Sequence, residues 1–120
     1  MISKSTYKVE NVGVYDLSEF EKNGDFSHQV LIDEILAQGD RIGHESNVKA
    51  PMTEWNMCLH SAEFQKLARV IMKNGVIPYL GAHFMNLEDI KRRSYIVSDM
   101  WGAEYRGNGE DFTQPHDHRA

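Results

Sequence analysis

The chain has 120 residues, 41% of them apolar and 26% charged, a balance that supports one folded domain over residues 1–120 and excludes an intrinsically disordered chain. A formal net charge of -5 excludes a general attraction to nucleic acid. No apolar run approaches the roughly eighteen residues that a membrane span requires.

The single cysteine, Cys58, excludes an internal disulfide and fits a reducing compartment. The N-terminus lacks the basic-then-apolar build of a signal peptide, so a soluble cytoplasmic protein is expected. The cluster Lys91-Arg92-Arg93 follows Glu88-Asp89 and reads as a solvated lead into a strand.

Taken in order, Tyr7 to Tyr15 alternates β-branched and aromatic residues and predicts a strand, with Gly13 marking a bulge. Asn23-Gly24-Asp25 is a turn, after which Asp25 or Ser27 caps a helix. That helix runs from His28 to Arg41, with Leu31, Ile32, Ile35 and Leu36 on its apolar stripe and Gly43 at its close. Residues Gly43 to His60 show neither period. Pro51, Met52, Trp55 and Met57 give this long loop enough apolar area to lie on the core.

Ser61 caps a second helix, Ala62 to Lys73, in which Phe64, Leu67, Ala68 and Ile71 share a face. Asn74-Gly75 reads as its stop. Pro78 either opens a third short helix to Leu87 or kinks a longer one. Residues Ser94 to Tyr105 form the best strand pattern in the sequence, with Tyr95, Val97, Trp101 and Tyr105 on one face and Ile96 and Met100 on the other. Gly107-Asn108-Gly109 turns the chain, and Phe112 to His118 begins a second strand. Segregated rather than alternating elements predict an α+β class and argue against a doubly wound parallel sheet.

Chemistry concentrates at Pro115-His116-Asp117-His118. On a strand, His116 and His118 point to one face and Asp117 to the other. Two imidazoles so spaced can chelate one divalent metal, and imidazole with carboxylate suits iron, manganese, nickel or zinc. His28 and His44 read as solvated surface residues, and His60 and His83 as packing or capping groups. Cys58 reads as a small half-buried apolar residue rather than a nucleophile. Trp101 and Tyr105 are either core aromatics or the lining of a pocket.

From Asp99 to His118 the sequence DMWGAEYRGNGEDFTQPHDH resembles the Fe(II)/2-oxoglutarate-dependent oxygenases, in their prolyl-hydroxylase-like branch. The matching features are Trp101, the turn from Gly107 to Asp111 and the Pro115-His116-Asp117-His118 motif; Val48 to Trp55 (VKAPMTEW) is similar to what precedes the motif there. The resemblance implies N-terminal helices and support strands followed by the first strands of a double-stranded β-helix, or jelly roll. It implies Fe(II) held by two histidines and one carboxylate, with 2-oxoglutarate as cosubstrate and hydroxylation of a small-molecule or peptidyl substrate as the reaction. His116 or His118 would be the first ligand. Relatives commonly carry His-x-Asp or His-x-Glu, whereas this chain has His-x-His with Asp117 between, so the source of the carboxylate stays open.

Trp101 and Tyr105 are the candidates for contact with the cosubstrate. The family's distal histidine and cosubstrate-pairing basic residue would lie beyond Ala120, so the chain is expected to be the N-terminal portion of an oxygenase and inactive alone. Apolar groups on both faces of the Ser94 to Tyr105 strand lead to an expectation of homo-oligomers. Two rivals stand beside this reading. A cupin has five residues between its glycine and HxH, but six separate Gly109 from His116. A small non-enzymatic α+β binding module would make the HDH incidental.

Overall fold

The computed structural model describes residues 12–38, 47–83, 86–92, 95–107 and 109–116. Residues Tyr7 to Asn11 of the first expected strand, His44, Asn108, Asp117 and His118 lie outside them, and the helix expected from His28 to Arg41 closes earlier, at Ala37 with Gln38 as its cap. Residues 12–15 are described and form no strand; Val12, Val14 and Tyr15 are exposed. Gly13 is not a bulge. It leaves room for two rings, since a Cβ there would lie 2.9 Å from atoms of both Tyr15 and Tyr79.

Helix α1, Ser18–Lys22, was not foreshadowed by any apolar period, being only five residues long. Asp16 accepts from the backbone N–H of Ser18 at 2.9 Å, which holds its carboxyl below the usual carboxylate range. The Asn23-Gly24-Asp25 turn is the C-terminal cap of this helix. Gly24 takes φ +85°, and the N–H groups of Gly24 and Asp25 donate to the carbonyls of Glu21 and Phe20, closing a Schellman motif.

Helix α2, His28–Ala37, starts at Ser27, whose Oγ accepts from the N–H of Val30 at 3.3 Å. Helix α3, Ala62–Ile71, starts at Ser61, whose Oγ accepts from Phe64 at 3.0 Å. Neither cap uses a glutamate three residues on, as a capping box would. The carboxylates instead cross between the helices. Glu63 of α3 accepts from the backbone N–H of Ser27, and Glu34 of α2 accepts from the Ser61 hydroxyl. Glu63 is buried and also meets Lys66 at 3.4 Å. Around this cross-link packs the core, in which Phe26, Leu31, Met57, Phe64 and Val70 are buried, with Leu17, Phe20, Ile35, Leu67 and Met100 against it.

The expected stop at Asn74-Gly75 does not occur. A π-helical stretch, Met72–Val76, carries α3 into helix α4, Ile77–His83. Asn74 turns its amide onto the carbonyl of Val70 at 3.1 Å instead of ending the helix, and Gly75 is buried. Pro78 lacks the N–H of a regular turn, and the wider π turn stands immediately before it. The helix expected to reach Leu87 is described as far as His83. A separate helix α5, Leu87–Lys91, begins at Asn86, whose Oδ1 accepts from Asp89 at 2.9 Å. Lys91 and Arg92 therefore end a helix, with Arg92 2.6 Å from Asp89, rather than lead into a strand.

Strands β1, Val48–Lys49, and β2, Phe112–Thr113, pair antiparallel with Val48 opposite Thr113 and Lys49 opposite Phe112. The partner of the Phe112 strand is thus the long loop, not the Ser94 to Tyr105 segment. That segment is no ladder strand in its described part. It makes isolated bridges, Met52 to Ala103 and Asn56 to Met100, because the loop bends between antiparallel and parallel pairing. Among the described residues no helix is long and apolar enough to cross a membrane.

Replacing Glu63 with alanine strands the part-buried N–H of Ser27. The expected loss is about 1–3 kcal/mol of unfolding free energy in urea melts. Glu63→Gln, which keeps an acceptor, should cost less. Gly102→Ala should also destabilise, by about 1–3 kcal/mol, because its Cβ would fall 2.5 Å from Cδ1 and Cγ1 of Ile35 on α2.

Candidate functional site

The path to the histidine motif is built on residues 47–57. Ala50, Pro51, Met52 and Thr53 are buried, and the backbone of Pro51, Met52 and Thr53 pairs with the neighbouring extended segment. Thr53 N–H donates to the carbonyl of Gly102 at 2.9 Å, and the Gly102 N–H returns to Thr53 Oγ1 at 3.0 Å. Glu104 N–H donates to Pro51 and Met57 N–H to Met100, at 2.9 and 2.8 Å. Asn56 adds its side-chain amide to the carbonyl of Ser98 at 2.8 Å. These bonds hold residues 98–104 in register without a regular ladder.

Trp101 emerges from this segment beside Trp55. Their rings meet edge to face, with centroids 5.0 Å apart and planes at 80°. Both rings keep a solvent-facing side, so Trp101 is neither fully core nor enclosed in a pocket. Tyr105 places its hydroxyl in a hydrogen bond with Thr113 Oγ1, which ties the end of the segment to β2.

Between them the chain reverses at Gly107 and Gly109, with φ of +70° and +83°. One carboxylate closes this turn. Asp111 accepts from the Arg106 backbone N–H at 2.7 Å, from Nε at 2.8 Å and from a terminal guanidinium nitrogen at 2.7 Å. The Asp111 side chain is only 3% exposed, and its hydrogen bonds and charge raise the Arg106 pKa. Beyond the turn, Gln114 N–H donates to Asn47 at 2.7 Å and extends the pairing past β2.

His116 follows at an exposed position. Its Nδ1 lies 2.7 Å from the carbonyl oxygen of Gln114. A carbonyl only accepts, so Nδ1 carries the proton, and in the neutral ring the lone pair sits on Nε2. That is the arrangement of a metal-ligating histidine oriented by a backbone carbonyl. His116 therefore fits one ligand position. Asp117 and His118 lie outside the described residues, and among the described residues no group of three or more His, Cys, Asp or Glu is placed to hold a metal ion.

The other candidates take quieter places. His60 Nε2 is 2.8 Å from Glu54, and His83 stacks on Tyr79 with centroids 4.6 Å apart. The Cys58 sulfur faces the carbonyl of Phe64 at 3.9 Å, and burial pushes its thiol pKa up. Thr53, Arg106 and Asp111 carry the geometry here but were not singled out in the sequence. The Arg-Gly-x-Gly-x-Asp spacing around the turn was the available signal for the last two. No family model, no curated protein and no solved structure matches the chain.

Asp111→Ala should leave the turn without its acceptor and raise amide exchange at Phe112 to Gln114 by about tenfold or more, read by hydrogen-exchange mass spectrometry. Cys58 should react with a thiol reagent more slowly than a free cysteine at neutral pH, and acceleration in urea to the free-cysteine rate is the expected control.

Proposed function

We propose that the chain supplies the support layer and opening strands of an Fe(II)/2-oxoglutarate-dependent oxygenase jelly roll, acting on a small-molecule or peptidyl substrate. The observation that carries this reading is the bond from His116 Nδ1 to the Gln114 carbonyl, directly after a turn clamped by Arg106 and Asp111. His116 would hold the metal through Nε2, and Asp117 and His118 are the candidates for the adjoining positions. When bound, iron would activate dioxygen, the oxidant, while 2-oxoglutarate would serve as the co-reductant for C–H hydroxylation. The chain's own residues orient and exclude. Gln114 fixes the imidazole tautomer, the Arg106–Asp111 clamp sets where the strand leaves the turn, and Tyr105 is held beside that strand through Thr113. Trp101 and Tyr105 then offer aromatic surface for the cosubstrate's surroundings.

Two imidazoles give an incomplete site, so Zn(II) or Ni(II) should bind weakly. Calorimetric titration should show that weak binding, and His116→Ala with His118→Ala should abolish it. Unchanged affinity in the double variant would remove the metal assignment.

A second reading, a small binding module, is favoured by the apolar surface. Leu59 is 74% exposed, Ile96 81% and Val14 90%. Such a surface also supports homo-oligomers. Sedimentation velocity should then reveal concentration-dependent self-association that Ile96→Asp reduces; a monomer at every concentration counts against it.

A further inference from the structure

A cleft of about 440 Å³ opens where α3 and its π-helical continuation face the turn after α1. Lys66, Arg69 and Lys73 line it, with Phe20 as an apolar wall and Asp25 as the one carboxylate among the described lining residues. In a chain of net charge -5, this is a local reversal of sign. The three cations lie at i, i+3 and i+7, so they form one stripe that rises roughly 10 Å along the helix.

Lys66 is partly engaged by Glu63 at 3.4 Å. Arg69 and Lys73 are exposed and have no acidic partner among the described residues. By contrast, Arg92 is matched by Asp89 and Arg106 by Asp111. The N–H groups of Gly24 and Asp25 are spent on the cap of α1, so any anion here is bound by side chains alone.

We infer that this cleft binds a small polyanion, with the chemistry of a diphosphate or its ester. The length of the stripe favours two linked anionic groups over one, because a single group cannot meet charges spread over two helical turns. Arg69 supplies a planar fork for one of them and Lys73 a mobile point charge for the next. Asp25 opposes the ligand and weakens the site. No residue of the His116 region takes part, so the inference stands apart from the oxygenase reading.

The test is calorimetric titration of the full chain with pyrophosphate at low salt. Saturable binding is expected, weakening as salt rises. Arg69→Gln with Lys73→Gln should weaken it about tenfold or more, whereas Asp25→Asn should tighten it about twofold. Lys91→Gln, on α5, should leave it unchanged. Both α3 positions are exposed, and an unaltered far-ultraviolet circular dichroism spectrum checks the fold. Absence of saturable binding, or equal affinity in the double variant, overturns the site. Acetate binding as tightly as pyrophosphate overturns the polyanion assignment, and tighter binding of a short oligonucleotide overturns the small-ligand one.

Discussion

Two helix starts hold each other in this protein. Ser27 and Ser61 cap α2 and α3, and each helix sends a carboxylate to the cap of the other, Glu63 to the Ser27 N–H and Glu34 to the Ser61 hydroxyl. A helix start leaves N–H donors with no partner in the helix, and burying one unsatisfied is costly. By answering that need across rather than along the chain, the glutamates fix both the register and the approach of the two helices. Phe26, Leu31 and Phe64 then meet in the same core. Everything that leans on this core, including Met57 and Met100, depends on the same cross-link.

The long irregular segment is the second organising element, and it succeeds without regular structure. A buried backbone must find partners for its N–H and C=O groups. Here the partners come from residues 98–104, from Asn47 to Gln114 and from the short β1–β2 pairing. Thr53 stands at the centre, fully buried, with its hydroxyl accepting from Gly102 and donating to the Glu54 carbonyl. Gly102 has to be glycine for a packing reason, since α2 presses Ile35 against it.

The candidate site inherits its order from this framework. The chain emerges at Tyr105, reverses through Gly107 and Gly109 under the grip of Asp111, and returns along residues 112–114 to deliver His116. Arg106 and Asp111 tie the turn with both backbone and side-chain bonds, so the strand leaves it in one direction. The imidazole of His116 is then set by a carbonyl two residues earlier. Local chain geometry thus contributes to the orientation of that ring.

Local signals were legible in the sequence wherever the cause was local. Ser27 and Ser61 cap the helices that their positions imply, Asn23-Gly24-Asp25 turns the chain, and Gly107 and Gly109 take the positive φ that glycine permits. Periodicity placed α2 and α3, and Met57, Phe64 and Leu31 are buried as apolar pattern suggests. What only the tertiary structure decided was every pairing between distant segments. Asn74-Gly75 has the chemistry of a helix stop, yet Gly75 is buried near the Tyr15 ring and the helix runs on through a π turn before Pro78. The alternation of residues 94–105 predicts a regular strand, but its partner is a bent loop that offers only isolated bridges. Glu63, a surface residue by type, is buried because Ser27, 36 positions away, requires an acceptor. Spacing along a chain encodes the period of an element and the chemistry of its ends. Which donors meet which acceptors across the fold is decided by closure of the three-dimensional packing, which no single segment contains.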